Sequence, residues 1–415
     1  MSTRLIRALS AATCLTALTF VSACGPEVGG RVTAAEIDVR TLDVGSYPVK
    51  PLNIHVDFRP GFTSAYEAAG MRLADHVVTA DEVDPRLITG SSSLNTGTFS
   101  AGTPPAALGA SPDMTATAKR GKMVVGFTTA ASDKNGNWGS GWPTPTTPGS
   151  TILALTVMQF NDADSATRAA TDFYNTDLNA NKGNQPLTLT KYPTAQAHWR
   201  PGTPSTRSFL AHGPYVVSVL ALTPRPDQDS LTSLTEKTLD AELPQLDQLP
   251  PVIDEDTVKL PWDPDYLLSR ALNTEQNGRP GFSGDNGVYG PRAIHHYLRH
   301  RKLAATGLAT LKVSAAAKTS DALVLRTADN NSAHKAVTDR ILLETGGVAA
   351  DAVPKVADSA CVERADPDPM FDEKRYTCLV AYRNYIGYVD SEQLLDAHQR
   401  AAAQYALFAN SQWQR

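Results

Sequence analysis

Two patterns of apolar and polar positions alternate along this chain and predict most of its elements. The segment ILALTVMQFNDADSATRAATDFYNTDL opens with a largely apolar, β-like run. A polar turn follows it, and then an alanine-rich helical pattern beginning near Asp164. The stretch DALVLRTADNNSAHKAVTDRILLET repeats that plan, with Asp329-Asn330-Asn331-Ser332 at the cap position. Side chains of Asp, Asn and Ser accept the first free N–H groups of a helix, so both segments predict a strand followed by a capped helix. Further on, SFLAHGPYVVSVLAL and TCLVAYRNYIGYV each read as strand, short polar turn and strand. Closing helices are expected near Asp229–Leu243 and near Ser391–Ser411, the last striped by Leu394, Leu395, Ala402, Tyr405 and Phe408.

The pairing of these patterns points to an internal repeat. Asp43, Leu52-Asn53 and Arg59-Pro60-Gly61-Phe62 recur as Asp263, Leu272-Asn273 and Arg279-Pro280-Gly281-Phe282, at one offset of 220 (263 − 43). The later segments correspond at 167 (332 − 165) and 170 (385 − 215), so the first half carries roughly 50 additional residues. Residues 89–149, rich in Gly, Ser, Thr, Pro and Ala, supply them, with a strand near Met123 inside. The Pro-rich, acidic stretch 251–261 reads as a linker on the surface. Hairpins beside helices, without repeated βαβ crossovers, give the fold class α+β. Two related domains are expected at 42–250 and 262–415, each an antiparallel sheet packed against helices.

Composition adds location. The 415 residues are 41% hydrophobic and 20% charged, an ordinary globular balance. A net charge of −5 argues against nucleic acid as a partner, because phosphate contacts need a basic face. Residues 1–23 hold Arg4 and Arg7 ahead of an apolar stretch from Ala8 to about Val21, too short to span a bilayer and typical of an export signal. The stretch ends in Val21-Ser22-Ala23-Cys24, which resembles the lipobox of bacterial lipoprotein signal peptides, with Val in place of the commoner Leu. That resemblance implies cleavage before Cys24, lipidation of its thiol, a tether over 24–41 and a membrane partner through the anchor. The expected place is the extracytoplasmic face of the cell membrane. Each buried methylene of such an anchor contributes about 0.8 kcal/mol.

Beyond Cys14 in the leader and Cys24, two cysteines remain. Cys361 and Cys378 flank a turn-rich connector containing ADPDPMFDEKR, and two cysteines in an exported chain predict one disulfide across a hairpin. With GMRLADHVVTADEVDPRL in the first half and GPRAIHHYLRH in the second, the leader and the duplication make the chain resemble actinobacterial two-domain envelope lipoproteins of unknown function. The resemblance implies location and architecture. It supplies no catalytic residue.

Candidate chemistry is sparse. In the run Arg292 to Lys302, His296 and His300 stand i, i+4, the spacing of a helical zinc site, yet Tyr297 occupies the place of the HExxH glutamate. A solvated basic helix face is the expectation there, and no metal or other cofactor is expected. No GxSxG elbow occurs; Ser100 in TFSAG comes nearest, and Ser283 has the wrong spacing. Glu82 and Asp84 form one acidic pair, short of the oxygen set calcium takes. Trp138 and Trp142, on a glycine-rich loop, are candidate ligand-binding residues suited to stacking on a sugar or dipping into lipid. The reading is therefore a non-enzymatic, lipid-anchored protein that binds a ligand or partner in a cleft between its halves. An envelope hydrolase with a non-standard Ser/His/Asp site is the alternative.

Overall fold

A computed structural model describes residues 37–52, 61–90, 96–109, 112–134, 149–274, 286–343, 347–367 and 373–411. Its elements come in two comparable sets. The first holds α1 (Phe62–Ala74), α2 (Ala80–Val83), β1 (Thr89–Gly90), β2 (Gly97–Phe99), α3 (Pro112–Arg120), β3 (Met123–Ser132) and β4 (Ile152–Phe160). It continues through α4 (Ala163–Asn179), β5 (Gln185–Leu187), β6 (Gln196–Trp199), β7 (Ser205–His212), β8 (Tyr215–Leu222) and α5 (Gln228–Leu246). The second set is β9 (Gly287–Tyr289), α6 (Pro291–His295), α7 (Arg301–Thr310), β10 (Ala315–Lys318), β11 (Ala322–Arg326) and α8 (Asn330–Thr338). It closes with β12 (Val348–Ala350), β13 (Ser359–Glu363), β14 (Tyr376–Tyr382), β15 (Tyr385–Ser391) and α9 (Leu394–Asn410).

Each set builds one antiparallel sheet, and the strand orders agree. The first sheet runs β1-β3-β4-β8-β7-β6-β5 with β2 also on β3; the second runs β9-β10-β11-β15-β14-β13-β12. From β3 and β10 onward the succession of strands and helices is also the same, two strands, a helix, four strands and a closing helix. Even the details repeat: the Asp162 carboxylate accepts from the Ser165 N–H at the start of α4, and Asp329 accepts from Ser332 at the start of α8. The β7–β8 turn holds Gly213 at φ 53°, and the β14–β15 turn puts Arg383 in the same left-handed region at φ 51°. Glycine adopts that conformation at no steric cost, whereas arginine does so at a small one.

Strands β3, β4 and β8 are buried at every position, so both faces of the first sheet are covered. One apolar core runs through both sets, from Phe127 and Val157 to Val324 and Phe408. A second core lies under α4, built on Phe160, Phe173 and Phe209.

Three expectations change here. The 89–149 segment is not a single added block. Its strand β3 is a principal strand, paired with β4 along its length, as the shorter β10 pairs with β11 in the second sheet. The Pro-rich stretch after α5 is docked rather than free: the buried Gln159 amide donates to the Val252 carbonyl, and Tyr66 donates to Asp254. Residues 42–52, expected in the first domain, lie instead against the second set. The Tyr47 hydroxyl donates to Asp396 at 2.5 Å, Gln399 donates to Asp43, and Asn410 donates to the Val49 carbonyl. Among the described residues, no helix is long and apolar enough to cross a membrane.

Candidate functional site

The two halves meet along the run that the sequence marked as basic. It is not a solvated face. α6 ends at His295 and α7 begins at Arg301, so His296 and His300 do not share a helix. His295, His296 and Arg301 are 7%, 1% and 1% exposed. Apolar contact does not hold this junction alone. The Ile88 carbonyl accepts from the Arg301 N–H, and the Gly90 N–H donates to the Arg299 carbonyl, which joins the halves through main chain. One oxygen of Asp75 accepts from the Arg292 and Ala293 N–H groups at 3.0 and 3.1 Å, capping the first turn of α6. The Arg292 guanidinium donates to the Asp75 carbonyl, the Gln245 side chain and Glu82.

His296 uses both ring nitrogens on the first half. Nε2 lies 3.0 Å from the Val77 carbonyl and Nδ1 lies 3.1 Å from Thr129 Oγ1. The carbonyl has no proton to give, so Nε2 carries the hydrogen and Nδ1 accepts from the hydroxyl. Burial, then the positive charge of Arg301, holds this imidazole well below its ordinary pKa. Burial also lowers His295, against the pull of Asp81 and with the push of Arg301. A histidine with both nitrogens engaged and a neutral preference is a structural lock, not a metal ligand.

Beside this junction opens a cleft of about 1730 Å³. One wall comes from the first half, through Gly90, β2 and Thr103–Ala106. The facing wall is α7, with Leu303, Ala304 and Gly307, and Leu303 is 43% exposed. Lys318, Leu323 and Tyr388 on β10, β11 and β15 form the floor. Residues from Ile341 to Leu343 cross above it, where a side chain at Gly307 would press on Leu342. The lining is mixed in character: threonines and charged groups alternate with leucine, proline and phenylalanine.

Nucleophilic chemistry finds no support among the described residues. Ser100 Oγ accepts the Gly102 N–H and contacts Thr103, as a turn serine does. Among the described residues four histidines pair with aspartate, His198 with Asp177, His212 with Asp247, His295 with Asp81 and His334 with Asp358, and no serine hydroxyl bonds to any of these rings. The Asp177 group is a buried ion cluster. Burial raises its pKa, but the His198 hydrogen bond and the Arg207 charge outweigh that and hold it below the ordinary carboxylate value.

Cys361 and Cys378 face each other across β13 and β14 and are joined by a disulfide. His398 is close to both sulfurs, but the bridge consumes the thiols and His398 Nε2 donates to the Asp351 carbonyl. Glu82 accepts from the Thr79 N–H in a capping box, and Asp84 pairs with Arg86, so neither acid is available to calcium. Cys24, Trp138, Trp142 and Ser283 lie outside the described residues.

The sequence reading missed the first-half residues that build the junction: Asp75, Val77 and Thr129. A signal for part of it was present. The offset of 220 continues through Gly70 and Gly290, Arg72 and Arg292, and His76 and His296. This places the basic run in the repeat.

No curated protein matches this chain. Among solved structures, the extracellular domain of PknH from Mycobacterium tuberculosis aligns over 42% of this chain and 94% of its own, at 10% identity and a TM-score of 0.30. Family models described as domain of unknown function (DUF7373), N-terminal and C-terminal, match residues 57–262 and 267–411 in that order. The chain belongs to the DUF7373 family and carries both of its domains.

Proposed function

We propose that this protein is a lipid-anchored envelope lipoprotein of actinobacterial type that binds a ligand or partner in the cleft between its halves, without catalysis. The observation that carries the reading is the cleft itself. Its volume of about 1730 Å³ exceeds the roughly 300–1,000 Å³ of ordinary small-ligand pockets, and its walls come from both halves, where such sites concentrate. Export and anchoring rest on Arg4, Arg7, the apolar stretch and the small residues before Cys24. A lipid at Cys24 would hold the cleft near a membrane surface.

Replacing Cys24 with Ala should move the protein from the membrane fraction to the soluble fraction. Continued sedimentation with membranes would defeat the lipobox assignment. For the binding reading, native mass spectrometry on the protein taken from its own envelope should show a discrete added mass that survives desalting. A bare chain mass in that preparation would shift the reading from a small ligand to a protein partner or a spacer, and a fluorophosphonate probe labelling one serine in a heat-sensitive way would overturn it.

A further inference from the structure

We infer that the cleft takes an amphiphilic anion, a phosphate or carboxylate group held by Arg301, Lys318 and Arg340 with an apolar chain laid along Leu298, Leu303 and Leu342. The inference rests on the binding reading above and names its ligand class.

Eight lysines and arginines and six carboxylates are found among the described residues that line the cleft. Every one of the six carboxylates already has a cationic partner. Glu373 pairs with Arg299, Asp390 with Arg364, Asp339 with Lys335 and Glu392 with Lys374, while Asp321 and Asp396 share Arg400. Three of the eight cations have no carboxylate in ion-pair contact among the described residues: Arg301, Lys318 and Arg340. On a chain of net charge −5, an unpaired positive set in one cleft is a local reversal of sign, and clefts concentrate such fields.

The three cations differ in their surroundings. Arg301 is 1% exposed, yet it borders the cleft. Its guanidinium donates to one carbonyl, that of His295, although it carries five N–H donors. The carboxylate that acts on it is Asp81, which forms no hydrogen bond with it and lies 3.8 Å from His295. The first half covers Arg301 with bare main chain: a side chain at Gly90 would come within 3.2 Å of the guanidinium. Lys318 places its ammonium 6.0 Å from the centre of the Tyr297 ring, a contact that leaves its N–H donors free. Arg340 is exposed at the rim. An anion with several acceptor oxygens would supply what all three lack, and charge-assisted bonds of this kind are roughly twice as strong as neutral ones.

The apolar part follows from the wall opposite. Leu303 stays 43% exposed where it lines this cleft, and Leu298, Leu342, Pro104 and Pro105 line it as well. A small inorganic anion would leave that surface wet. An apolar tail would cover it, at about 0.8 kcal/mol per methylene.

The test uses the full chain with Cys24→Ala, purified without detergent, and three calorimetric titrants: octyl phosphate, inorganic phosphate and the neutral octyl glucoside. Octyl phosphate should bind at one per chain and weaken as salt rises. Each of the other two should bind at least about tenfold more weakly. Lys318→Gln and Arg340→Gln should each weaken octyl phosphate by about fivefold to tenfold and leave octyl glucoside unchanged; Lys318→Gln gives up only the contact with the Tyr297 ring, and unchanged circular dichroism should accompany both variants. Leu303→Asp should weaken octyl phosphate as well. Octyl glucoside binding as tightly as octyl phosphate would overturn the charge assignment, and inorganic phosphate doing so would overturn the apolar one. Absence of octyl phosphate binding would overturn the inference altogether. The binding reading is separately decided, since a neutral mass retained in the native spectrum would uphold it while the anionic class failed.

Discussion

Glu242 shows how a single side chain couples this fold to pH. It is fully buried on α5; one carboxyl oxygen accepts from the Val78 N–H, and the other has no hydrogen-bond partner. Burial pushes its pKa up to about 8, against the Val78 N–H and the Arg292 charge and with the help of Glu82. Between the ordinary glutamate value and 8, the folded chain holds a proton that the unfolded chain releases. Stability therefore falls as pH rises through that window, by on the order of 3 kcal/mol at pH 7. Glu242→Gln keeps an acceptor for Val78 and removes the proton. Its urea midpoint should exceed that of the wild type at pH 7 and converge with it near pH 4.5, and a constant difference across pH would refute the assignment. His295 and His296 act in the opposite sense: held neutral by burial, they cost stability as pH falls below the ordinary histidine value. None of this was legible in the sequence. The Val78 N–H that fixes Glu242 lies 164 residues away, and a glutamate in TEKTLDAEL reads as solvent-facing.

Elements whose causes are local were legible. Asp162 and Asp329 cap their helices through bonds three residues ahead, and the cap is visible in the residue types alone. The long strands β4, β8 and β14 announce themselves by predominantly apolar runs, and β7 and β15 by the hairpin partners and polar turns beside them. Short strands such as β5, β9 and β12 do not, because their pairing is decided by neighbours far along the chain. The disulfide was legible for a simple reason, two cysteines flanking one turn. Cys361→Ser should lower stability by about 3 kcal/mol in the loop-entropy treatment, measured as a drop in the denaturant midpoint. Addition of reductant should then leave the variant unchanged. Packing of α9 shows the opposite case. The buried Gln404 amide accepts from the Leu272 N–H and donates to the Arg270 carbonyl, and it crosses β15 where Gly387 has no side chain to meet it. Gln404→Leu leaves both backbone groups unpaired and should cost about 2–4 kcal/mol, seen in the same midpoint. A cost below about 1 kcal/mol would mean that water replaces the amide.

At the scale of the whole molecule, two sheets of one strand order meet at a junction to which both halves contribute. The halves share main-chain bonds, a helix cap and a histidine, and residues 42–52 cross to pack on the C-terminal helix. Asp75 is the most economical place to test this. Its carboxylate caps α6, and it occupies the space that a side chain at Gly290 would fill. Asp75→Ala removes one acceptor shared by two N–H groups of the other half, at an expected cost of about 1–2 kcal/mol. If the junction makes the halves one cooperative unit, circular dichroism and tryptophan fluorescence should still report one coincident transition, only shifted to lower denaturant. Hydrogen exchange should accelerate at the Gly90 and Arg301 amides together, because both lie in the same inter-half seam. Two separated transitions in the variant would show that each half is stable alone. The cleft would then be a gap between independent domains, able to open by hinge motion, rather than a walled site whose shape the fold fixes.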